Sequence, residues 1–204
     1  MIKTVLHPSA GEVFFHRVKG HVPKKNQNKL EELLTGAEFP WRYNAETVMQ
    51  KPKPLKQFDD ISILGHTLIR DGQLNSEYFN PINTLLDLSG LVNKFSLSTQ
   101  IIRAQANLFL KRDRVINPCP HIDFQRVRHM VVLYYVNDCD GDTVFYNLSD
   151  CDDHRLDEMK EWRRESPKKG DIIIFDGKIF HSPSCPVESL CRSTLNFDFS
   201  MMDV

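Results

Sequence analysis

The second half of the chain is built from short segments in which apolar and polar residues alternate. The clearest is Cys191–Ser200, whose apolar positions are Leu195, Phe197 and Phe199 and whose polar positions are Arg192, Thr194, Asn196 and Asp198. Residues 100–110 alternate in the same way, with Arg103, Gln105 and Asn107 on the polar parity. Successive side chains of a β-strand point to opposite faces of its sheet, so both segments predict strands with one apolar and one polar face. The polar faces must be hydrated or line a polar cavity, since each buried polar group without a partner costs about 1–3 kcal/mol.

Turn signals separate further strand candidates in this half of the chain. Strands are predicted at residues 128–136, 143–146 and 172–175, with turns rich in glycine and aspartate between them. A short charged helix is predicted at residues 152–162. Many short strands preceded by helices are typical of a β-sandwich or barrel of the jelly-roll type. We therefore expect a mainly β fold.

The first half of the chain predicts two helices and two extended segments. Residues 26–34 carry an apolar stripe, with asparagines that can cap the start and a glycine after the end. Residues 81–95 have a proline in the first turn and an apolar face, which favours a second helix. Residues 39–48 and 61–69 contain the β-branched and aromatic residues that are typical of strands.

A proline- and lysine-rich stretch, residues 51–56, separates the two extended segments and can be neither a helix nor a central strand. It is either a solvated connector or a loop over a substrate. The chain has no internal repeat or compositional boundary, and its 204 residues suit one domain. We expect residues 1–98 to supply scaffold and lid elements and residues 99–204 to form the core.

Composition restricts the partners and the compartment. The formal net charge is −1, which gives no electrostatic reason to expect a nucleic-acid or membrane partner. No apolar run reaches the roughly 18 residues of a membrane span, and the first residues lack the apolar core of a secretion signal. The five cysteines are scattered and include no Cys-x-x-Cys pair, which favours reduced thiols. We therefore expect a cytoplasmic protein.

The tripeptide His121-Ile122-Asp123 is a candidate metal-binding motif. On a strand, the side chains of His121 and Asp123 point to the same face, and His181 on another strand can add a second imidazole. Two histidines and one carboxylate, with open positions opposite them, suit a non-haem Fe(II) that activates oxygen. The competing explanation is chance, because the chain contains eight histidines. His129, beside an apolar strand, is expected to be structural.

Four motifs follow one another in the second half of the chain. They are His121-Ile-Asp123, Asp140-Gly-Asp-Thr-Val-Phe145, Gly170-Asp-Ile-Ile-Ile-Phe175 followed by His181, and Arg192-Ser-Thr194. In this order and spacing, residues 99–200 resemble the catalytic core of the 2-oxoglutarate- and Fe(II)-dependent oxygenases. The second motif is similar to the family's Gly-Gly-x-Thr-x-Phe, except that Asp140 replaces the first glycine. Within the superfamily the resemblance is strongest to the prolyl-hydroxylase-like branch, including its small phage and bacterial forms.

The resemblance implies a double-stranded β-helix, a cupin-like jelly roll with supporting N-terminal helices. His121, Asp123 and His181 would bind Fe(II). Arg192 would hold the far carboxylate of 2-oxoglutarate, because its planar fork gives two parallel charge-assisted bonds. The other candidates for the cosubstrate pocket are Thr194, Asn107 and Thr143, followed by Arg103, Gln105, Tyr134 and Tyr146. The implied cofactors are Fe(II), 2-oxoglutarate and O2, and a role for ascorbate stays open.

The activity implied by the resemblance is hydroxylation of an unactivated C–H bond by a dioxygenase, with release of succinate and carbon dioxide. No catalytic side chain is expected beyond the metal and cosubstrate ligands. A prolyl residue in a peptide is the nearest substrate for this branch, and a small molecule is also compatible. One alternative is oxidative demethylation of nucleic-acid bases, which the near-neutral charge disfavours. Another is a non-catalytic cupin-like protein that binds a metal or a small acid. A purely structural jelly roll would make no use of the polar inner faces.

Overall fold

Two antiparallel sheets pack face to face in this structure, a computed structural model that describes residues 4–45, 55, 58–59, 61–116, 118–125 and 127–201. The described strands are β1 Thr4–His7, β2 Gly11–Val18, β3 Arg42–Asn44, β4 Ile63–Arg70, β5 Gln73–Leu74, β6 Ile101–Leu110, β7 His129–Tyr135, β8 Thr143–Ser149, β9 Glu161–Glu165, β10 Ile172–Asp176, β11 Ile179–Pro183 and β12 Cys191–Ser200. The described α-helices are α1 Lys24–Thr35, α2 Phe79–Leu86 and α3 Leu88–Phe95, and a 3-10 helix covers Asp150–Glu158.

The larger sheet contains nine of the described strands, in the order β1-β2-β10-β7-β12-β6-β4-β3 with β5 paired to β4. The smaller sheet has the order β11-β8-β9. Neighbouring strands in both sheets are antiparallel. The mainly β prediction and the jelly roll, a double-stranded β-helix with supporting helices, are confirmed.

The larger sheet separates two apolar cores. Its outer face packs against the three α-helices, for example through Phe197 of β12 and Leu91 of α3. Between the sheets, the ring of Phe145 contacts Phe15 and Phe175 edge to face, each at a centroid distance of 4.9 Å. This inner core comes mainly from β2, β7 and β10 on one side of the larger sheet. The space beside β6 and β12 is therefore left for their polar side chains.

The prediction of one helix over residues 81–95 is wrong, because the chain breaks at Asp87. Asp87 lies in the left-handed region with φ 53°, and its backbone N–H donates to the C=O of Asn83 where α2 ends. Its carboxylate then accepts the backbone N–H of Gly90 at 3.2 Å and caps α3. A Cβ at position 90 would lie 2.2 Å from Asp87 Oδ2, so this cap requires a glycine there.

The first helix differs from its prediction at its start. It begins at Lys24 after Pro23, and the side chain of Asn26 donates to the C=O of Leu85 at 3.0 Å. Asn26 therefore links α1 to α2 instead of capping its own helix. The end of α1 before Gly36 is as predicted.

Most strands of the second half lie where the alternation predicts them, and the differences concern strands with weak patterns. The strands β1, β2, β5 and β9 were not predicted, and β9 takes the place of the last residues of the helix predicted at 152–162. Of the described residues 39–45, only Arg42–Asn44 form a strand. Residues 46–48, and the proline-rich stretch apart from Leu55, lie outside the described residues.

None of the helices that the structure describes has the length and apolar character of a membrane span. No disulfide bond joins the described cysteines, which are Cys119, Cys139, Cys185 and Cys191. The division of the chain at residue 98 stays a prediction, and strands from both sides of it belong to the larger sheet.

Asp140 holds the loop that leads into β12. Its Oδ2 accepts the backbone N–H groups of Val187 at 2.8 Å and Glu188 at 2.9 Å, and its Oδ1 accepts that of Ser189 at 2.9 Å. Burial acts in the opposite direction, but these bonds hold the pKa of Asp140 well below its usual range. The aspartate that replaces a glycine of the family motif thus orders the backbone just before Arg192.

Replacing Asp140 with alanine is expected to lower the free energy of unfolding by about 1 kcal/mol at pH 7, as for a lost capping carboxylate. The pKa of Asp140 is lower in the folded than in the unfolded chain. Its contribution is therefore present above pH about 3.9 and is lost as the pH falls toward the folded value. Urea denaturation at pH 7, and at the lowest pH that keeps the wild type folded, measures both effects.

The control is Asp113→Ala at an exposed loop position, which should change the free energy of unfolding by less than about 0.5 kcal/mol. An Asp140→Ala effect that stays undiminished at the lower pH would contradict the role of the ionised carboxylate.

Candidate metal centre and adjoining cavity

His121 and His181 face each other across a single backbone bridge. The N–H of each donates to the C=O of the other at 2.9 Å, and the imidazole centroids lie 4.8 Å apart. The strand expected through residues 121–123 is reduced to this bridge, and Asp123 follows in a bend. The carboxylate still turns toward the imidazoles, with Oδ2 3.5 Å from His181 Nε2 and Oδ1 4.0 Å from His121 Nε2. The structure thus brings together the three side chains that the motif singled out.

Backbone carbonyls fix the tautomer of both imidazoles. His121 Nδ1 donates to the C=O of Cys119 at 3.3 Å, and His181 Nδ1 donates to that of Ile179 at 3.1 Å. In the neutral imidazole the other nitrogen, Nε2, then carries the lone pair. Both Nε2 atoms face Asp123. Metal-binding histidines are held in the same way, with one ring nitrogen donating to a protein acceptor and the other available to the metal.

The pKa values favour ligand chemistry at this group. Burial and the neighbouring His181 lower the pKa of His121 to about 4, so His121 is neutral at physiological pH. Burial would raise the pKa of Asp123, but the guanidinium of Arg103 outweighs it and holds that pKa well below its usual range. The three side chains offer two imidazole nitrogens and a carboxylate, with ligand atoms all within 4.8 Å of one another.

A cavity of about 530 Å³ extends from these residues between the sheets. Its floor follows cross-strand pairs of β12 and β6, which are Asn196 with Gln105, Thr194 with Asn107, and Arg192 with Phe109, and Arg103 of β6 continues it. The predicted pocket residues that line it are Arg192, Thr194, Asn107, Thr143, Arg103 and Gln105. Leu133 and Phe175 add apolar wall. The cavity therefore connects the candidate metal ligands with Arg192 along a polar floor.

Arg192 is a buried cation that donates to the hydroxyl group of Thr143, with no carboxylate partner among the described residues. Its side chain is at the bottom of the cavity, and the residue is 2% exposed. Its Nη2 donates to Thr143 Oγ1 at 2.8 Å, and the hydroxyl of Tyr135 lies 2.8 Å from the same oxygen. Its Nε has no hydrogen-bond partner in the described structure. A buried charge is costly unless it is compensated, so this end of the cavity suits an anion.

Tyr134 and Tyr146 lie outside the cavity, contrary to their prediction as pocket residues. Tyr134 points from β7 into the core shared with the helices, and its hydroxyl has no partner among the described groups. Tyr146 points to the outer side of the smaller sheet, with its hydroxyl 3.0 Å from Ser182 Oγ. Thr143 and Tyr146 have opposite parity on β8, so the sequence held a signal that only one of them faces inward.

Sequence reasoning did not single out two residues of the site, Tyr135 and Asn196. Both faces of β7 are apolar, so parity could not select Tyr135 over Tyr134. Burial raises the pKa of Tyr135 to about 12, so its hydroxyl keeps its proton at physiological pH. Asn196 shares the polar parity of Arg192, and that signal was available. Its Nδ2 lies 3.4 Å from Asp123 Oδ2.

His129 lies behind the candidate metal ligands. Its Nδ1 donates to the C=O of Val127 at 2.7 Å, and its ring packs against Phe124. With Asp123 and Asp198 it forms a second group of closely spaced ligand atoms. The guanidinium of Arg103 already contacts both of those carboxylates, so their negative charge is balanced without a metal ion.

Neither a protein-family model nor a curated protein matches the sequence. Solved structures match the fold. One is a 2OG-Fe(II) oxygenase-family oxidoreductase from Burkholderia pseudomallei, with a TM-score of 0.61 and 15% identity, covering 92% of this chain and 84% of that one. Another is the epimerase SnoN in complex with Fe3+, alpha ketoglutarate and nogalamycin RO, with a TM-score of 0.61 and 12% identity, covering 91% and 78%.

A third is a prolyl hydroxylase from Trichoplax adhaerens in complex with a hypoxia inducible factor oxygen degradation domain peptide fragment. Its TM-score is 0.58 at 11% identity, covering 91% of this chain and 83% of that one. At such identities the likeness establishes a shared fold. The chain has the double-stranded β-helix of these 2-oxoglutarate and Fe(II) oxygenases, as the resemblance of its motifs predicted.

Proposed function

We propose that the protein is an Fe(II)- and 2-oxoglutarate-dependent dioxygenase that hydroxylates an unactivated C–H bond. The observation that carries the proposal is a combination within one cavity. A group of two histidines and one carboxylate lies at one position, and Arg192, which lacks a carboxylate partner among the described residues, lies at another. A dicarboxylate with a metal-chelating end can bind a metal ion at the first position and pair with Arg192 at the second.

The donor set fits Fe(II). Two imidazole nitrogens and one carboxylate on one side of an ion, with open positions on the other, are the set used by non-haem iron oxygenases. His121, Asp123 and His181 would hold the ion. The neutral imidazole of His121 and the ionised carboxylate of Asp123 need to lose no proton before they bind a metal at neutral pH, which supports this assignment.

Arg192 and Thr143 would bind the far carboxylate of 2-oxoglutarate. The guanidinium supplies charge-assisted donors, its Nε among them, and the Thr143 hydroxyl is held between Arg192 and Tyr135. Thr194 and Asn107, the next pair on the same face toward the metal ligands, would contact the middle of the cosubstrate. When bound, Fe(II), 2-oxoglutarate and O2 supply the oxidising chemistry, with succinate and carbon dioxide as coproducts. The side chains bind, orient and exclude water, and none is required as an acid or base.

The mouth of the cavity supports an uncharged primary substrate. The exposed lining residues Tyr43 and Asn44 offer a ring and an amide, and Ile63, a buried lining residue paired with Asn44, adds an apolar side chain. Tyr43 is 70% exposed and available for contact. A prolyl residue in a peptide suits these groups, since its ring is apolar and the flanking peptide groups form hydrogen bonds. The Trichoplax enzyme, with the same fold, was solved with a peptide fragment.

A small molecule is the second substrate class, because SnoN shares the fold and was solved with nogalamycin RO. A nucleic-acid base is less favoured, since the described residues at the mouth include no basic strip with interleaved aromatics. A non-catalytic cupin-like binding protein is the alternative of another class. It would bind metal and acid without forming succinate.

Anaerobic addition of 2-oxoglutarate to the Fe(II)-loaded protein is expected to produce a visible charge-transfer band, because the keto acid would chelate the ion. His121→Ala should abolish the band, and Arg192→Ala should weaken it at a fixed 2-oxoglutarate concentration. His154→Ala, at an exposed position, is the control and should leave it intact. Admission of oxygen should then yield succinate. A fully loaded wild type without the band would contradict the proposal, and a band without succinate would favour the binding protein.

Tyr135→Phe is expected to raise the dissociation constant of 2-oxoglutarate about 10-fold, the effect of losing one hydrogen bond of about 1.4 kcal/mol. The variant removes the hydroxyl that orients Thr143 beside Arg192. Tyr134→Phe is the matched control, since it makes the same chemical change on the opposite face of the strand and should leave the constant unchanged. Titration of the band with 2-oxoglutarate measures both, and equal effects of the two variants would refute the assignment.

A further inference from the structure

Arg103 joins two buried carboxylates from different parts of the chain. Its Nε donates to Asp198 Oδ2 at 2.8 Å, and its Nη2 donates to Asp123 Oδ1. The guanidinium also lies over the ring of Phe124, 5.2 Å from the centroid. Hydrogen bonds in the plane and a ring against the face restrict the group to one orientation. Arg103 is therefore a rigid link between Asp123 and Asp198.

Asp198 has no access to a ligand in the cavity. Its side chain is fully buried, and it is absent from the residues that line the cavity. It pairs with Arg103 directly across β12 and β6, and the register shifts immediately after it. Its position thus allows it to fix the guanidinium, while only Arg103 reaches the candidate metal ligand.

The two oxygens of Asp123 have different surroundings. Oδ1 accepts from Arg103 and lies 4.0 Å from His121 Nε2. Oδ2 accepts a long hydrogen bond from Asn196 Nδ2 at 3.4 Å and lies 3.5 Å from His181 Nε2. One oxygen is held by a charged donor, whereas the other is held by a neutral amide and lies nearer to an imidazole nitrogen.

We propose that Arg103, anchored by Asp198, is a positioning residue that holds Asp123 so that it presents one oxygen, Oδ2, to the metal. This inference rests on the proposed function, because it assigns the same metal site. A carboxylate that binds through one oxygen leaves more coordination positions for a cosubstrate than one that binds through both. Groups that hold metal ligands in this way contribute 10- to 100-fold, roughly, to metal affinity.

Stability alone does not account for this arrangement, since buried ion pairs contribute little net stability. The chain offers a comparison in Arg17, which also bridges two carboxylates. Its Nη1 lies 2.9 Å from Glu165 and its Nε 2.8 Å from Asp171. Arg17 repeats the chemistry of Arg103 without touching a candidate metal ligand, so Arg17→Gln is a matched control for Arg103→Gln.

The test is a Co(II) titration of the metal-free full-length protein, followed by visible absorption, which reports both affinity and coordination. Arg103→Gln is expected to weaken Co(II) binding about 10- to 100-fold and to change the shape of the absorption bands. Arg17→Gln should leave both unchanged. Arg103→Lys should fail to restore the wild-type affinity, since an ammonium lacks the planar fork that spans two carboxylates.

The alternatives predict other results. If Arg103 acts only as a nearby positive charge, its removal should tighten Co(II) binding, and that outcome would overturn the inference. Unchanged affinity and bands would overturn it as well. Asp198→Asn keeps the shape of the side chain and is the second variant, informative even if Arg103→Gln does not fold. It should weaken binding in the same direction, and unaltered binding would refute the anchoring role. A wild type that binds no Co(II) would refute the proposed function itself, which separates the two failures.

Discussion

The antiparallel pairing of β6 with β12 is the constraint on which the site depends. One register places Asp198 beside Arg103 and Thr194 beside Asn107 on the same face of the larger sheet. A slip of one strand by one residue would turn its polar side chains into the helix-packed core and move its apolar ones, such as Phe197, into the cavity. The apolar face that packs against the helices therefore selects the register that builds the polar floor. The sheet therefore cannot fold in its native register without also assembling the site.

Two arginines on this floor, Arg103 partly buried and Arg192 fully buried, have opposite surroundings. Arg103 contacts two carboxylates, whereas Arg192 donates to the Thr143 hydroxyl and has an Nε without a partner among the described residues. Removing a guanidinium from water is costly in both cases. The carboxylates of Asp123 and Asp198 offset this cost for Arg103. Arg192 has no such partner among the described residues, so an anion that binds in the cavity would offset its cost. The same side-chain type thus serves as internal structure at one end of the cavity and as a receptor at the other.

Two sequence signals, the alternation of apolar and polar residues and the spacing of the motifs, predicted much of the fold and of the candidate site. The features that they missed have physical reasons. Alternation on Cys191–Ser200 identified the inward-facing Arg192, and motif spacing joined His121 to His181. Tyr135 was missed because a strand buried on both faces has no alternation to read. The break at Asp87 was missed because a left-handed residue that ends one helix and caps the next leaves the apolar periodicity of residues 81–95 intact. The link from Arg103 to Asp123 depends on tertiary contact and left no pattern in the sequence.

The backbone bridge between His121 and His181 has a consequence for the order in which the protein loses structure. Two hydrogen bonds at this point attach the segment that connects β6 to β7, and the described residues 122–125 that follow belong to no strand. An ion held by both imidazoles would be a second link at the same point, so the ion and the backbone bonds would together offset the entropy lost on ordering this segment. Without the ion, the two hydrogen bonds alone would hold the segment in place. Local unfolding of the metal-free protein would then begin at this bridge, while the larger sheet stays intact.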